Sequence, residues 1–177
     1  MSDRKLEQAM KAFQQGDLKG FNTLYEALHR LVFYVVYGIV KDYALAEDLL
    51  QEVFIRLYER KEDFRREGSV KAWILQIARH LALNEKKRRE KVVVSDRAID
   101  ALRTDRHQAI PETPLIDLAK DRLAEDEFLI VMLCVVEGYT RREVGKLLNL
   151  STSGVTWKLN QALERLRTWW EGGLSDG

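Results

Sequence analysis

The residues with the most to offer a ligand sit close together near the C-terminus. Thr152, Ser153, Thr156, Trp157, Lys158, Asn160, Gln161 and Arg165 fall on the side of a helical repeat that faces away from Val155, Leu159, Ala162, Leu163 and Leu166. Their chemistry is hydrogen bonding and charge. Asn and Gln amides pair bidentately with adenine, and Lys or Arg with guanine or phosphate. A helix face that is only solvated is more often Glu/Lys-rich, and here Glu164 alone departs towards that pattern. Covalent chemistry has no comparable address. His29, His80 and His107 are scattered, Cys134 stands alone in the apolar run FLIVMLCVVEG, and no nucleophile constellation, Cys/His cluster or glycine-rich phosphate loop occurs. An enzyme is the weakest reading, no metal or cofactor is expected, and Cys134 reads as core packing.

Local signals define the elements that must hold that face. In YTRREVGKLLNLSTSGVTWKLNQALERLR, Thr140 and Glu143 have the spacing of a capping box. Asn149 suits the left-handed residue that ends a helix. Ser151 is placed to cap a second helix over Thr152 to about Trp169. Val144, Leu147, Leu148, Val155, Leu159, Ala162, Leu163 and Leu166 give each helix one apolar stripe. Gly145 is small where the two helices would cross. This is the layout of a helix-turn-helix, whose second helix enters the DNA major groove. Capped helical hairpins also occur in proteins that never meet DNA, so the polar face, not the periodicity, carries the inference.

The rest of the chain is helical in pattern. Among 177 residues there are only two prolines, Pro111 and Pro114, and the long proline-free stretches on either side are rich in Leu, Ala, Glu, Lys and Arg. Helices are expected over Asp3–Gln15, stopped by Gly16; Leu18–Val40, capped by Asp17; Tyr43 to near Arg60, capped by Asp42; and Val70 to about Glu90, capped by Ser69. On the last of these, Ala72, Trp73, Leu75, Ile77, Ala78, Leu81 and Leu83 form the expected apolar stripe. Such helices make a four-helix bundle. From Lys91 to Thr113 the pattern dissolves. VVVSD would be a strand without a neighbour, so the stretch reads as a linker with a short helix at Ile99–Arg103. Thr113 and Pro114 then start a second helical domain, with helices over Leu115–Leu123 and Glu125–Val136 before the helix-turn-helix. The run LVFYVVYGIV is too short for a bilayer, which takes about 20 residues, and the N-terminus has no secretory signal. A cytoplasmic protein without membrane insertion is expected. The net charge of +1 leaves any DNA affinity to local patches.

Three further clusters stand out. The third helix has an acidic face of Glu47, Asp48, Glu52 and Glu59 with Gln51, opposite Leu45, Leu49, Leu50, Val53, Phe54 and Leu57. It is either a solvated face or a dock for a basic partner. NEKKRREK gathers Lys86, Lys87, Arg88, Arg89 and Lys91 at the end of the fourth helix, below Arg79, His80 and Asn84. Cations there complement the helix dipole or contact phosphate. The loop KEDFRREG sets Phe64 beside Arg65 and Arg66, as a core plug or as a stacking site for an unpaired base.

DYALAEDLLQEVFIRLYERKEDF, then SVKAWILQIARHLALNEKKRRE, resembles the second conserved domain of bacterial sigma factors. EGYTRREVGKLLNLSTSGVTWKLNQALERLR resembles their fourth domain. The pair is similar to the extracytoplasmic-function (ECF) members of the sigma-seventy family. The resemblance implies an all-α chain of two small helical domains: a sigma-two-like bundle over 1–91, a linker over 92–113, and a sigma-four-like helix-turn-helix domain over 114–177. It implies an alternative sigma subunit that binds bacterial core RNA polymerase and promoter DNA, with an anti-sigma factor as a candidate partner. Asp48, Gln51, Glu52, Phe54 and Arg56 match the positions that grip the polymerase clamp helices. Phe64, Arg79, His80, Asn84, Lys87 and Arg88 fall where the family opens the −10 element. The helix from Thr152 falls where it reads the −35 element. The departures are His80 for a common Asn, Glu85 for Asp, Gly145 for Ala, Asn149 for the turn Gly, and Asn160 near a frequent Arg. Trp157 is unusual on a recognition face, and Trp169 and Trp170 suit either a partner or the domain's own core. The alternative reading is a stand-alone helix-turn-helix regulator that works without polymerase.

Overall fold

A computed structural model describes residues 3–65, 68–95 and 114–173, and these are helical with no strand among them. The chain divides into two compact units, Met1–Gln108 and Ala109–Gly177.

In the first unit, α1 (Asp3–Gln14), α2 (Leu18–Val40), α3 (Tyr43–Glu59) and α4 (Val70–Ser95) pack around α2, which touches the other three. The capping residues do what their chemistry suggests. Asp17 accepts from the Lys19 N–H, Asp42 from Leu45 at 3.0 Å, and the Ser69 hydroxyl from Ala72 at 3.3 Å. Gly16 turns the chain after α1 with φ of 93°. Lys41 ends α2 in the left-handed region, its N–H bonded to the Tyr37 carbonyl. The apolar run in α2 is buried from Leu31 to Ile39 apart from half-exposed Phe33. Against it lie Leu6, Met10 and Phe13 of α1, Ala46, Val53 and Leu57 of α3, and Ile74, Ala78 and Ala82 of α4.

α4 departs from expectation twice. Its buried stripe is Val70, Ile74, Leu75, Ala78 and Ala82, whereas Ala72 is exposed and Trp73, Ile77, Leu81 and Leu83 are half-buried. It also continues through Ser95, past the expected linker start at residue 92. Extending an existing helix needs no new nucleus, and β-branched valines lower helix propensity only slightly. The helix expected at Ile99–Arg103 lies outside the described residues.

The second unit holds α5 (Pro114–Arg122), α6 (Glu125–Val131), α7 (Arg141–Leu148) and α8 (Thr152–Gly173). The helix expected to run to Val136 changes register at Met132. Met132–Val136 form a π-helical turn, closed by the Glu137 N–H on the Met132 carbonyl at 3.0 Å. FLIVMLCVV is apolar all round, and the wider turn leaves Cys134 half-buried with Val135 and Val136 exposed. Burial raises the Cys134 thiol above its ordinary range.

The helix-turn-helix closes as its residues require. Thr140 accepts from the Glu143 N–H, and the Glu143 carboxylate accepts from the Thr140 N–H at 2.9 Å. Asn149 takes φ of 56°, and the Ser151 hydroxyl accepts from Gly154 at 3.0 Å. Leu163, expected in the buried stripe, is exposed, while Val144, Val155, Leu159, Ala162 and Leu166 are buried. Gly145 meets the turn itself: a Cβ there would lie 2.6 Å from the Leu150 carbonyl oxygen. Gly145→Ala gains about 1 kcal/mol of helix propensity, but overpacking of this kind costs about 1–3 kcal/mol. The expected net result is a lowered melting temperature, read by circular dichroism. A raised one would show that the turn yields freely.

Candidate nucleic-acid interface

The buried residues of α8 fix which way its polar face points. With Val155, Leu159, Ala162 and Leu166 inward, Ser153, Trp157, Asn160 and Gln161 face solvent, and Trp157 is 64% exposed. Thr152 is exposed and accepts on its carbonyl from the Thr156 hydroxyl at 2.9 Å. Lys158 and Arg165 flank the buried stripe and are already engaged. Lys158 pairs with Asp126 of α6 at 2.6 Å, and Arg165 pairs with Glu127. Glu127 also accepts from the Ala124 N–H at the start of α6, so the Arg165 pair clips α6 to α8. Burial raises the Asp126 carboxyl, but the Lys158 ammonium together with backbone N–H bonds holds it below the usual range. Two of the eight residues named from sequence are therefore charge-compensated, and the uncharged amides are the open donors and acceptors. The paired tryptophans diverge: the Arg122 guanidinium lies over the Trp169 ring at 5.8 Å, whereas Trp170 is 47% exposed.

In the first unit, a short 3-10 turn at Lys61–Asp63 precedes the loop to α4. Phe64 folds inward to 8% exposure and packs on Trp73 with ring centroids 5.4 Å apart. The two rings help line an open cavity of about 350 Å³ with Asp63, Ser69 and Gln76. Its walls pair an aromatic surface with side-chain hydrogen-bonding groups, the combination that holds an extruded base. From sequence Trp73 was placed only in the apolar stripe of α4, and Gln76 was not singled out. Their signal was available: Trp73, Gln76, His80, Asn84, Lys87 and Lys91 recur at 3- and 4-residue steps and share one face of α4. His80, Asn84 and Lys87 are exposed along that line, and Arg79 and Arg88 flank it.

The basic end of α4 is less positive than its composition. Arg88 forks onto Glu85 at 2.8 and 2.7 Å, and Arg89 reaches Asp42 at 3.0 Å, tying α4 to the cap of α3. The Arg88 fork holds the Glu85 carboxyl below its ordinary range. Lys86, Lys87 and Lys91 stay exposed.

On α3 the outward side carries Asp48, Gln51, Glu52 and Glu59 around Ile55, which is 51% exposed. Arg56 lies between Glu52 at 2.8 Å and Glu59 at 3.5 Å. Phe54 does not share this face. It is 4% exposed and packs edge-on against Tyr25 and Phe21, so it shapes the helix from behind. Ile55 and the neighbouring Tyr58, 51% exposed, are the apolar residues of the face that sequence reasoning missed.

Among the described residues, no group of three or more His, Cys, Asp or Glu side chains could hold a metal ion, and no helix is long and apolar enough to cross a membrane.

Comparison with known proteins places these surfaces in context. Residues 24–92 match the family model for sigma-70 region 2. The chain is 28% identical over 158 residues to the ECF RNA polymerase sigma factor SigX of Bacillus subtilis (strain 168), covering 83% of this chain and 81% of that protein. It is 26% identical over 159 residues to the ECF RNA polymerase sigma factor SigM of the same organism, covering 86% and 96%. Two solved structures share the fold. The sigma factor RpoE in complex with the anti-sigma factor NepR, from Bartonella quintana, aligns with a TM-score of 0.64 at 15% identity over 86% of this chain and 98% of that one. CnrH in complex with the cytosolic domain of CnrY aligns with a TM-score of 0.61 at 14% identity over 96% and 97%.

Proposed function

We propose, from the premise that this chain belongs to the sigma-70 family as an ECF sigma factor, a division of labour between its two units. The chain is an alternative sigma subunit that directs promoter recognition by RNA polymerase, and it is not an enzyme. Residues 1–91 dock on core polymerase and open the −10 element, 92–113 link, and 114–177 read the −35 element. Asp48, Gln51, Glu52 and Arg56 make the dock, with Phe54 as its inner support. The track from the Phe64–Trp73 cavity along His80, Asn84 and Lys87, with Arg79 and Arg88 at its edges, takes the separated strand. α8 enters the major groove of the −35 duplex.

The observation that carries this reading is the co-occurrence, in one chain, of the region 2 match over 24–92 and a fully capped helix-turn-helix. A stand-alone regulator has no need of the former. Strand opening is then driven by binding, since extruding a base costs a few kcal/mol that the cavity offsets. Each unit binds modestly, and polymerase supplies the effective concentration. The solved RpoE structure carries the anti-sigma factor NepR, and by analogy such a factor is the occupant we assign to exposed Leu163 and Trp170. The protein works in the cytoplasm, where polymerase is.

The test is run-off transcription with core polymerase on genomic fragments. Added protein should create new start sites. Start sites indifferent to its presence overturn the reading, and a dimer that ignores core polymerase in a pull-down would favour the stand-alone regulator.

The ion pair on Lys158 separates two kinds of DNA contact. Gln161→Ala should lower affinity for the cognate −35 element by about 1–3 kcal/mol and spare other sequences. Lys158→Ala should weaken all duplexes alike. A full phosphate contact contributes about 0.9 to the salt slope, and Lys158 should contribute less because Asp126 already compensates it. Equal losses for Gln161→Ala on every sequence would make it a backbone contact.

A further inference from the structure

The loop that carries Phe64 is held from an element outside the cavity. The Gln14 side-chain amide, at the last turn of α1, donates to the Lys61 carbonyl at 2.8 Å and to the Phe64 carbonyl at 3.2 Å. In return the Lys61 ammonium donates to the Phe13 carbonyl at 3.3 Å and lies 4.9 Å over the Phe13 ring. These bonds span 47 to 50 residues of sequence and are partly buried. One amide thus uses both N–H groups on backbone at the two ends of the turn, and no other residue type offers two donors of that reach without a charge. The other bonds of the turn are local, the Asp63 N–H on the Arg60 carbonyl at 2.9 Å and the Arg60–Asp63 side-chain pair at 2.7 Å, and its three residues contribute no buried side chain, so among these hydrogen bonds those with α1 are the ones that tie the turn to another helix. The Phe64 carbonyl and the Phe64 ring share one residue, so fixing the first sets where the second can stand against Trp73.

We propose that Gln14 and Lys61 form a latch by which α1 positions the base-capturing loop, making Gln14 a positioning residue for strand capture although it lies outside the cavity. This rests on the reading of the Phe64–Trp73 cavity as a base pocket. The latch explains why a short α1 is worth anchoring so firmly, with Leu6, Met10 and Phe13 at 1%, 1% and 0% exposure. Its C-terminal end must be a fixed point for the loop to be one.

The test uses the full chain with core polymerase and a fluorescent fork-junction promoter whose unpaired strand carries an abasic site at each position in turn. Native protein should lose roughly tenfold in affinity at one position, the effect of one stacked base. Gln14→Met keeps the volume and removes both donors. It should shrink that penalty below about threefold, a tenfold change being 1.4 kcal/mol, while core affinity and −35 duplex binding are unchanged. A merely structural role would weaken base-bearing and abasic strands together and leave their ratio intact, and that result overturns the latch. Lys61→Met removes the reciprocal bond from the loop side and should give the same loss, which decides the matter if Gln14→Met does not fold. A native protein with no penalty at any position overturns the pocket reading, and the latch with it.

Discussion

A chain carrying Asp48→Lys together with Glu52→Lys is expected to lose capture of core polymerase while keeping its helical content and melting behaviour. Asp48 is exposed, and Glu52 stands 37% exposed with Arg56 as its partner. Breaking that surface pair costs under about 1 kcal/mol, and Arg56 retains Glu59 at 3.5 Å. No buried group changes its company, so the bundle has no reason to unfold. The interface is another matter. In the proposed dock, exposed Ile55 at the centre of the acids would give an apolar core to be desolvated, and the surrounding carboxylates would meet a basic partner at low dielectric. Truncating one partner of such a pair costs about 2–5 kcal/mol, and reversal adds repulsion to loss. Core affinity should fall by more than about a hundredfold, measured by fluorescence titration, and run-off transcripts should disappear. Native affinity from a folded double variant would remove α3 from the docking surface.

What the sequence made legible was local. Asp17, Asp42, Thr140 with Glu143, Asn149 and Ser151 each act on backbone within four residues, so type and spacing sufficed to set the ends they cap to within a residue or two, whereas the C-terminal ends of α4 and α6, which carry no such signal, were each misplaced by about five residues. Periodicity identified stripes but not their edges. Leu163 and Ile55 lie where an amphipathic pattern gives way to surface, and their exposure depends on which neighbour happens to cover them. The π turn at Met132 was hidden because a run apolar at every position carries no phase.

The candidate sites show the same division more sharply. The polar face of α8 was visible as a pattern, yet the neutralisation of Lys158 and Arg165 was not, because Asp126 and Glu127 belong to a different helix. Arg89 in the basic run was named as a cation and turns out to brace the cap of α3 through Asp42. Gln14 had no sequence signature at all. A lone glutamine at a helix end is ordinary, and only the folded chain brings it to two carbonyls nearly fifty residues away. Composition reports which charges exist; tertiary pairing decides which of them remain available to a ligand.

Gly20→Ala should be the most damaging single methyl in the first unit, although helix propensity argues the reverse by about 1 kcal/mol. Gly20 lies in the first turn of α2, pressed against the backbone of α1. A Cβ at that position would lie 2.3 Å from the Ala9 carbonyl oxygen and 2.7 Å from the Phe13 nitrogen. Both are main-chain atoms, so no side chain can swing aside, and α1 as a whole must retreat. Retreat opens the site where Leu6, Met10 and Phe13 are buried and pulls Phe13 from Phe21 and Tyr58, whose ring centroids stand 5.2 and 5.5 Å away. Overpacking typically costs about 1–3 kcal/mol and occasionally more, and this case belongs at the upper end because backbone meets backbone. At about 4–8 °C per kcal/mol for a domain of this size, the thermal midpoint of the first unit should drop by about 10 °C or more. The same shift withdraws Gln14 from the loop, so base discrimination should fail at temperatures where the bundle is still folded. A midpoint that holds or rises would mean that α1 is free to slide on α2, and a helix free to slide cannot hold the Phe64 loop in register.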